Sequence, residues 1–123
     1  MNRFAKFKRH APGERNKLEA SYEAHLELLK RAGEIDDYKF EGVKLRLADN
    51  TFFTPDFIVF TKDGFVELHD TKGTTTKILK KGKVKAPWCE EDAKLKMKVI
   101  AEAWPFKMLM VFKTSEGWQT QSI

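Results

Sequence analysis

Two stretches of the chain repeat their apolar residues at the helical period, and most of the remainder alternates at the period of a strand. From Asn16 to about Ala32, residues Leu18, Tyr22, His25, Leu26, Leu28, Leu29 and Ala32 fall on one side at ~100° per residue, which predicts a helix with one apolar stripe. Asn16 followed by Glu19 fits a capping box, in which each side chain satisfies a free backbone amide, and Gly33 is a natural stop. Glu19 lies at the edge of the stripe, Glu23 further round and Glu27 opposite, so Glu19 is the acid best placed to point inward. The same residue is fully accounted for as a cap, and both roles stay open. His25, within the stripe, reads as a packed histidine. A second helix is expected from about Glu90 to Ala103, with Ala93, Met97, Ile100, Ala101 and Trp104 on its main face and acids in its first turn to suit the dipole.

Between and after the helices the pattern predicts strands. Phe40 to Leu47 alternates Val43, Leu45 and Leu47 with Lys44 and Arg46, and Asp49-Asn50 signals a turn. Phe52 to Phe60 follows, with Pro55 inside it. Proline has no amide for a ladder, so this strand either runs along an edge there or becomes regular only from Asp56. Phe65 to Lys72 places Val66, Leu68, Asp70 and Lys72 on one face and Phe65, Glu67, His69 and Thr71 on the other. Gly73 to Trp88, rich in threonine and lysine and broken by Gly82 and Pro87, reads as a mobile basic loop. Phe106 to Phe112 is a last buried strand, and Gly117-Trp118 begins a short tail.

The stretch Phe53–Gly73 carries the chemistry. A three-residue loop at Lys62-Asp63-Gly64, with the glycine left-handed, pairs Thr61 with Phe65 and, continued down the ladder, Asp56 with Asp70. Opposed residues have Cβ atoms ~5 Å apart, and two carboxylates at that separation repel unless a cation lies between them. A two-residue turn would instead set Asp56 against Thr71. Two acids and a lysine, Lys72, in phase on a hairpin make a site for a hard divalent cation that could hydrolyse a phosphodiester. The metal ligands expected are Asp56, Asp70 and Glu19, with the backbone carbonyl of Thr71 as a fourth. Lys72 would contact the attacking water or the scissile phosphate. The competing explanation is a surface hairpin with its acids paired to lysines.

Charge sharpens this picture. With 123 residues, 41% hydrophobic and 33% charged, the chain has the length and composition of one globular domain. Its net charge of +5 is uneven. Residues 1–17 carry six basic residues against Glu14, and residues 72–98 carry nine lysines against three acids, leaving the rest of the chain acidic. Two basic segments on an acidic body suggest a polyanion partner, although a solvated lysine-rich surface explains charge alone equally well. The candidate contacts to DNA are Arg3, Lys6, Lys8 and Arg9 in an N-terminal arm over residues 1–15. To these are added Lys77, Lys80, Lys81, Lys83 and Lys85 in the basic loop, and Lys94 and Lys96 on the second helix. The arm reads equally as a disordered tail. A lone cysteine, Cys89, excludes an internal disulfide or a cysteine-rich zinc site. With no spanning segment or signal peptide in the pattern, the expectation is a cytoplasmic protein without a membrane partner.

Pro55-Asp56, then Asp70-Thr71-Lys72-Gly73, resembles the signature of the PD-(D/E)xK nuclease superfamily. More narrowly, LEASYEAHLELL, FTPDF, DTKG and the helix ending in Trp104-Pro105 before MLMVF resemble, in that order, bacteriophage Holliday-junction resolvases of the endonuclease I type and related small phage nucleases. The resemblance spans roughly residues 16–112. It implies an α/β, restriction-endonuclease-like core, a mixed central β-sheet flanked by helices, forming a single nuclease domain over residues 16–123. It also implies Mg²⁺- or Mn²⁺-dependent cleavage of branched DNA by a homodimer in the host cytoplasm. The helical glutamate of the family falls on Glu19, its metal aspartate on Asp56, its second acid on Asp70 and its lysine on Lys72. The chain departs in having aspartate at position 70, where the endonuclease I pattern has glutamate. The spacing from Glu19 to Gly33 is also longer, which keeps Glu23 as a minor candidate for the helical acid. The alternatives are a sequence-specific or transposase-type nuclease on the same core, and a non-catalytic nucleic-acid-binding protein.

Overall fold

The computed structural model describes residues 15–123, and Arg3, Lys6, Lys8 and Arg9 lie outside them. The first helix, α1 (Lys17–Arg31), starts as its sequence dictates. The Asn16 side chain accepts from the Glu19 N–H at 2.7 Å, and Glu19 Oε1 accepts from the Asn16 N–H at 2.9 Å. Gly33, at φ +78°, takes the chain out of the helix. Tyr22 and Leu26 are buried, but Leu28, expected in the apolar stripe, is 65% exposed. It lies two residues beyond Leu26, about 200° round the helix, and so faces solvent.

Of the strand expected over Phe40–Leu47 only the ends are extended: Phe40 closes β1 (Ile35–Phe40), a strand the pattern did not predict, residues 41–44 are not strand, and Leu45–Leu47 belong to β2 (Leu45–Ala48). The break falls at Glu41, at φ +49°, and Gly42, where a Cβ would stand 2.7 Å from Lys39 Cβ. The expected turn at Asp49-Asn50 joins β2 to β3 (Thr51–Phe53) in a small ribbon of its own. Phe52–Phe60 is likewise divided, and β4 (Phe57–Thr61) becomes regular only after the buried Pro55. The next strand is β5 (Val66–Thr71).

Residues 73–88 are not a loop. They form a hairpin of β6 (Thr74–Leu79) and β7 (Gly82–Pro87), closed by Lys80-Lys81 with Gly82 at φ +126°. The β-branched Thr74, Thr75, Thr76, Ile78 and Val84 favour extended backbone, and this outweighs the polarity that suggested a loop. The second helix, α2 (Glu91–Ala103), buries Met97 and Ile100 and leads into β8 (Lys107–Thr114). The tail expected at Gly117 is a six-residue strand in its own right, β9 (Gly117–Ser122), antiparallel to β8.

The central sheet has the order β1-β4-β5-β8-β9, and only the β5–β8 pair within it is parallel. The fold is α/β with a mixed five-stranded sheet between two helices. On one face Tyr22 and Leu26 of α1 pack on Phe57, Val59 and Val111. On the other, Met97 and Ile100 of α2 pack with Leu45 on Leu68, Met108 and Met110. Strand periodicity sends Leu68 to the α2 side and His69 to the α1 side. No helix among the described residues is long and apolar enough to cross a membrane.

Candidate active site

The β4–β5 hairpin sets the site. Gly64 is left-handed at φ +87°, the Thr61 N–H donates to Phe65 O at 2.8 Å, and the ladder pairs Phe57 with His69 and Ile58 with Leu68. One step beyond that ladder, Asp56 faces Asp70, as the three-residue loop requires. The Asp56 N–H donates to Asp70 Oδ1 at 3.2 Å. Asp56 Oδ2 accepts from the Thr71 N–H at 2.8 Å and from the Thr71 hydroxyl at 2.7 Å. The Asp56 carbonyl accepts from the Glu41 N–H at 2.7 Å, so the kink that divides β1 from β2 also anchors this aspartate. Lys72 Nζ lies 2.8 Å from Asp70 Oδ2, and the Lys72 N–H donates to Val111 O.

These groups share a cavity of about 420 Å³ at the end of the sheet. Its walls are Asn16, Leu18 and Glu19 from the start of α1, Asp56, the segment Asp70–Gly73, and Trp88, Cys89, Glu90 and Ala93 at the start of α2. Glu19, Asp56, Asp70, Thr71 and Lys72 are therefore brought together. Both helices present their N-termini, the positive ends of their dipoles, to the same space. Glu90, the N-cap of α2, makes no side-chain cap hydrogen bond.

The electrostatics are those of a crowded acid pair. The Asp56 carboxyl is held well above the usual carboxylate range, first by burial and then by the charge of Asp70, against the opposing hydrogen bonds from Thr71. Burial pulls the Lys72 ammonium down, but the charge and hydrogen bond of Asp70 outweigh it and leave it above the ordinary lysine value. The Cys89 thiol is pushed up by burial.

Two carboxylates and neighbouring backbone carbonyls are the oxygen-rich donor set that Mg²⁺ takes, since it is commonly held by one or two carboxylates together with water and substrate phosphate. The fit extends to two acids rather than three. Among the described residues no group of three or more His, Cys, Asp or Glu side chains is drawn together closely enough to hold a metal. Glu19 lines the cavity while its Oε1 is engaged by the Asn16 amide. Glu23 is directed elsewhere, held by Arg15 at 2.6 and 3.1 Å.

Of the basic residues, Lys77, Lys80, Lys81, Lys83 and Lys85 are all exposed on the β6–β7 hairpin, with Lys85 Nζ donating to the Thr76 hydroxyl at 3.1 Å. Lys94 and Lys96 are half-buried on α2. Sequence reasoning missed Trp88 and Cys89 as cavity walls. It also missed a buried chain in which Tyr22 Oη lies 2.6 Å from His69 Nδ1, and His69 Nε2 lies 2.9 Å from Glu67 Oε1. The signal was present in part: His69 stands on the α1-facing side of β5, and Tyr22 lies in the stripe of α1. No protein-family model, curated protein or solved structure matches this chain.

Proposed function

We propose that the chain is a metal-dependent DNA endonuclease of the PD-(D/E)xK type, built on a restriction-endonuclease-like core. The observation that carries this reading is the meeting of Asp56 and Asp70 in one cavity, with Lys72 against Asp70 and the Asp56 carboxyl strained by burial and like charge. A carboxylate pair in that condition favours a proton or a cation, and the donor set suits a hard one.

Asp56 and Asp70 would hold Mg²⁺ or Mn²⁺, with the Thr71 carbonyl and Glu19 as the further oxygen donors. When bound, the metal would supply an acidified water and charge neutralisation at the phosphate. Lys72 brings its ammonium to the same wall, where it stabilises negative charge developing on phosphorus-bound oxygens. Thr71 fixes the rotamer of Asp56 through two hydrogen bonds to a single oxygen, leaving Oδ1 directed away from that anchor. The uncapped start of α2 and the lysines of the β6–β7 hairpin attract the phosphate backbone. Branched DNA as substrate and a homodimer that cuts two strands belong to the same proposal.

The test is Mg²⁺-dependent nicking of a four-way junction and of a linear duplex of the same sequence, by wild type and by Asp56→Ala. Cleavage by wild type alone, faster on the junction, is expected. Equal cleavage by both proteins would sink the site assignment, and indifference to branching would remove the branch-selective part.

A further inference from the structure

Trp88 is the wall of the cavity that phosphodiester chemistry does not use. Its side chain leaves the residue 57% exposed, although a tryptophan ring is among the groups with most to gain from burial. Its backbone is nonetheless firmly set. The preceding residue, Pro87, pairs with Thr74 at the root of the hairpin, and the Trp88 N–H donates to Gly73 O at 2.9 Å. The ring therefore projects from the fixed base of β6–β7.

On its far side lies a second, smaller cavity of about 190 Å³ that shares Trp88 and Cys89 with the acid cavity. Lys77 and Lys94 line it, with Thr75 and Gln121 as neutral polar groups and Met110 beside them. Neither lysine is ion-paired among the described residues. Lys77 lies in the stretch from Lys72 to Cys89 that holds six lysines and no acid, and Lys94 follows Glu90, Glu91 and Asp92 at the start of α2, so the two ammonium groups are the cationic lining of this cavity.

An exposed aromatic face flanked by ammonium groups matches a nucleotide: the base stacks and its phosphate meets the lysines. A base inside a duplex has both faces covered by its neighbours, whereas an unpaired base offers one. We propose that Trp88 and the cavity beyond it form a subsite for an unpaired nucleotide of the DNA strand whose neighbouring phosphate enters the acid cavity. This rests on the nuclease reading and gives that reading a physical basis for selecting branches, because branch points expose unpaired or partly unstacked bases.

The experiment is fluorescence anisotropy in EDTA with a labelled 12-nucleotide oligo(dT) and a labelled blunt 12-base-pair duplex. The proteins are wild type, Trp88→Phe, Trp88→Ala and Lys77→Gln/Lys94→Gln. Trp88→Ala is expected to bind oligo(dT) on the order of 10- to 100-fold more weakly, with Trp88→Phe recovering most of the loss. Duplex binding should change less than ~3-fold in both. The double lysine variant should show a shallower salt dependence on oligo(dT), by about 1.4 in the log–log slope for two lost phosphate contacts. Equal losses on both DNAs, or no loss on oligo(dT), would overturn the subsite. So would self-association of wild type abolished by Trp88→Ala with oligo(dT) binding unchanged, which would make the ring a contact between copies of the chain. No divalent metal is present, so failure here with Mg²⁺-dependent cleavage intact removes the subsite alone. Absence of cleavage by a wild type that still stacks oligo(dT) removes the nuclease reading instead.

Discussion

Replacing Asp56 by asparagine should make the metal-free protein more stable while abolishing the proposed DNA cleavage. The Asp56 carboxyl is displaced upward from its ordinary value of 3.8 by burial and then by the charge of Asp70. An acid whose folded pKa is raised binds its proton more tightly in the folded state. Its contribution is therefore fully favourable below the unfolded value and is lost as pH rises toward the folded one. Each pH unit of that interval costs ~1.4 kcal/mol. Asparagine keeps the shape, and its Oδ1 can still accept from the Thr71 N–H and hydroxyl, which both bind one oxygen of the aspartate. What is removed is the charge. Allowing for relaxation of the site and water in the open cavity, the gain at pH 8 is about 1–3 kcal/mol, or roughly 4–12 °C in Tm for a domain of this size.

The assay is thermal unfolding of wild type and Asp56→Asn in EDTA from pH 4.5 to pH 8.5, repeated with Mg²⁺. The stability gap should widen as pH rises and close toward pH 4.5. Magnesium should raise the Tm of wild type and leave Asp56→Asn unchanged, because a ligand stabilises only the state that binds it. A variant no more stable than wild type at pH 8, or a gap independent of pH, would refute the reasoning. The two aspartates would then not be a charge-strained pair, and the argument for a cation between them would lose its physical basis.

Three further substitutions probe separate parts of the site. Glu19→Gln keeps an acceptor for the Asn16 N–H, so stability by urea unfolding should change by less than ~0.5 kcal/mol, while cleavage falls at least ~10-fold if the carboxylate acts in the cavity; unchanged cleavage would reduce Glu19 to a cap. Lys72→Met leaves Asp70 without its 2.8 Å partner and should lower cleavage by ~100-fold or more with DNA affinity within a few-fold of wild type, whereas lost binding in filter assays would make Lys72 chiefly a phosphate contact. Tyr22→Phe deletes the hydroxyl 2.6 Å from His69 Nδ1 in a buried setting and should cost about 1–2 kcal/mol by urea unfolding; a neutral result would mean the bond contributes nothing net.

What the sequence disclosed follows from which interactions are local. The register that opposes Asp56 to Asp70 is set by loop length and one left-handed glycine, Gly64, all within a short stretch of chain. The capping box at Asn16 and Glu19 is equally local and formed as expected. The end of β1 at Phe40 is hidden because the alternation of Val43, Leu45 and Leu47 begins just beyond the break and reads as one strand from Phe40, while IDDYKF itself shows no clean alternation. The kink depends on Gly42 lying against Ile58 and on the Glu41 amide reaching Asp56, contacts distant enough in sequence to leave no period behind. The β6–β7 hairpin is hard to read from sequence for a different reason: its lysines and threonines have the polarity of a loop, while the β-branching of threonine sets the backbone. Glu19 suits two roles in the sequence, and the geometry explains why both arise at one residue. A side chain that folds back to cap the first turn of α1 is also held at the mouth of the cavity which that turn walls. The cap fixes where the acid stands; to serve as a ligand Glu19 must release the Asn16 amide and also move closer to the two aspartates, since among the described residues no three acids stand close enough to hold a metal.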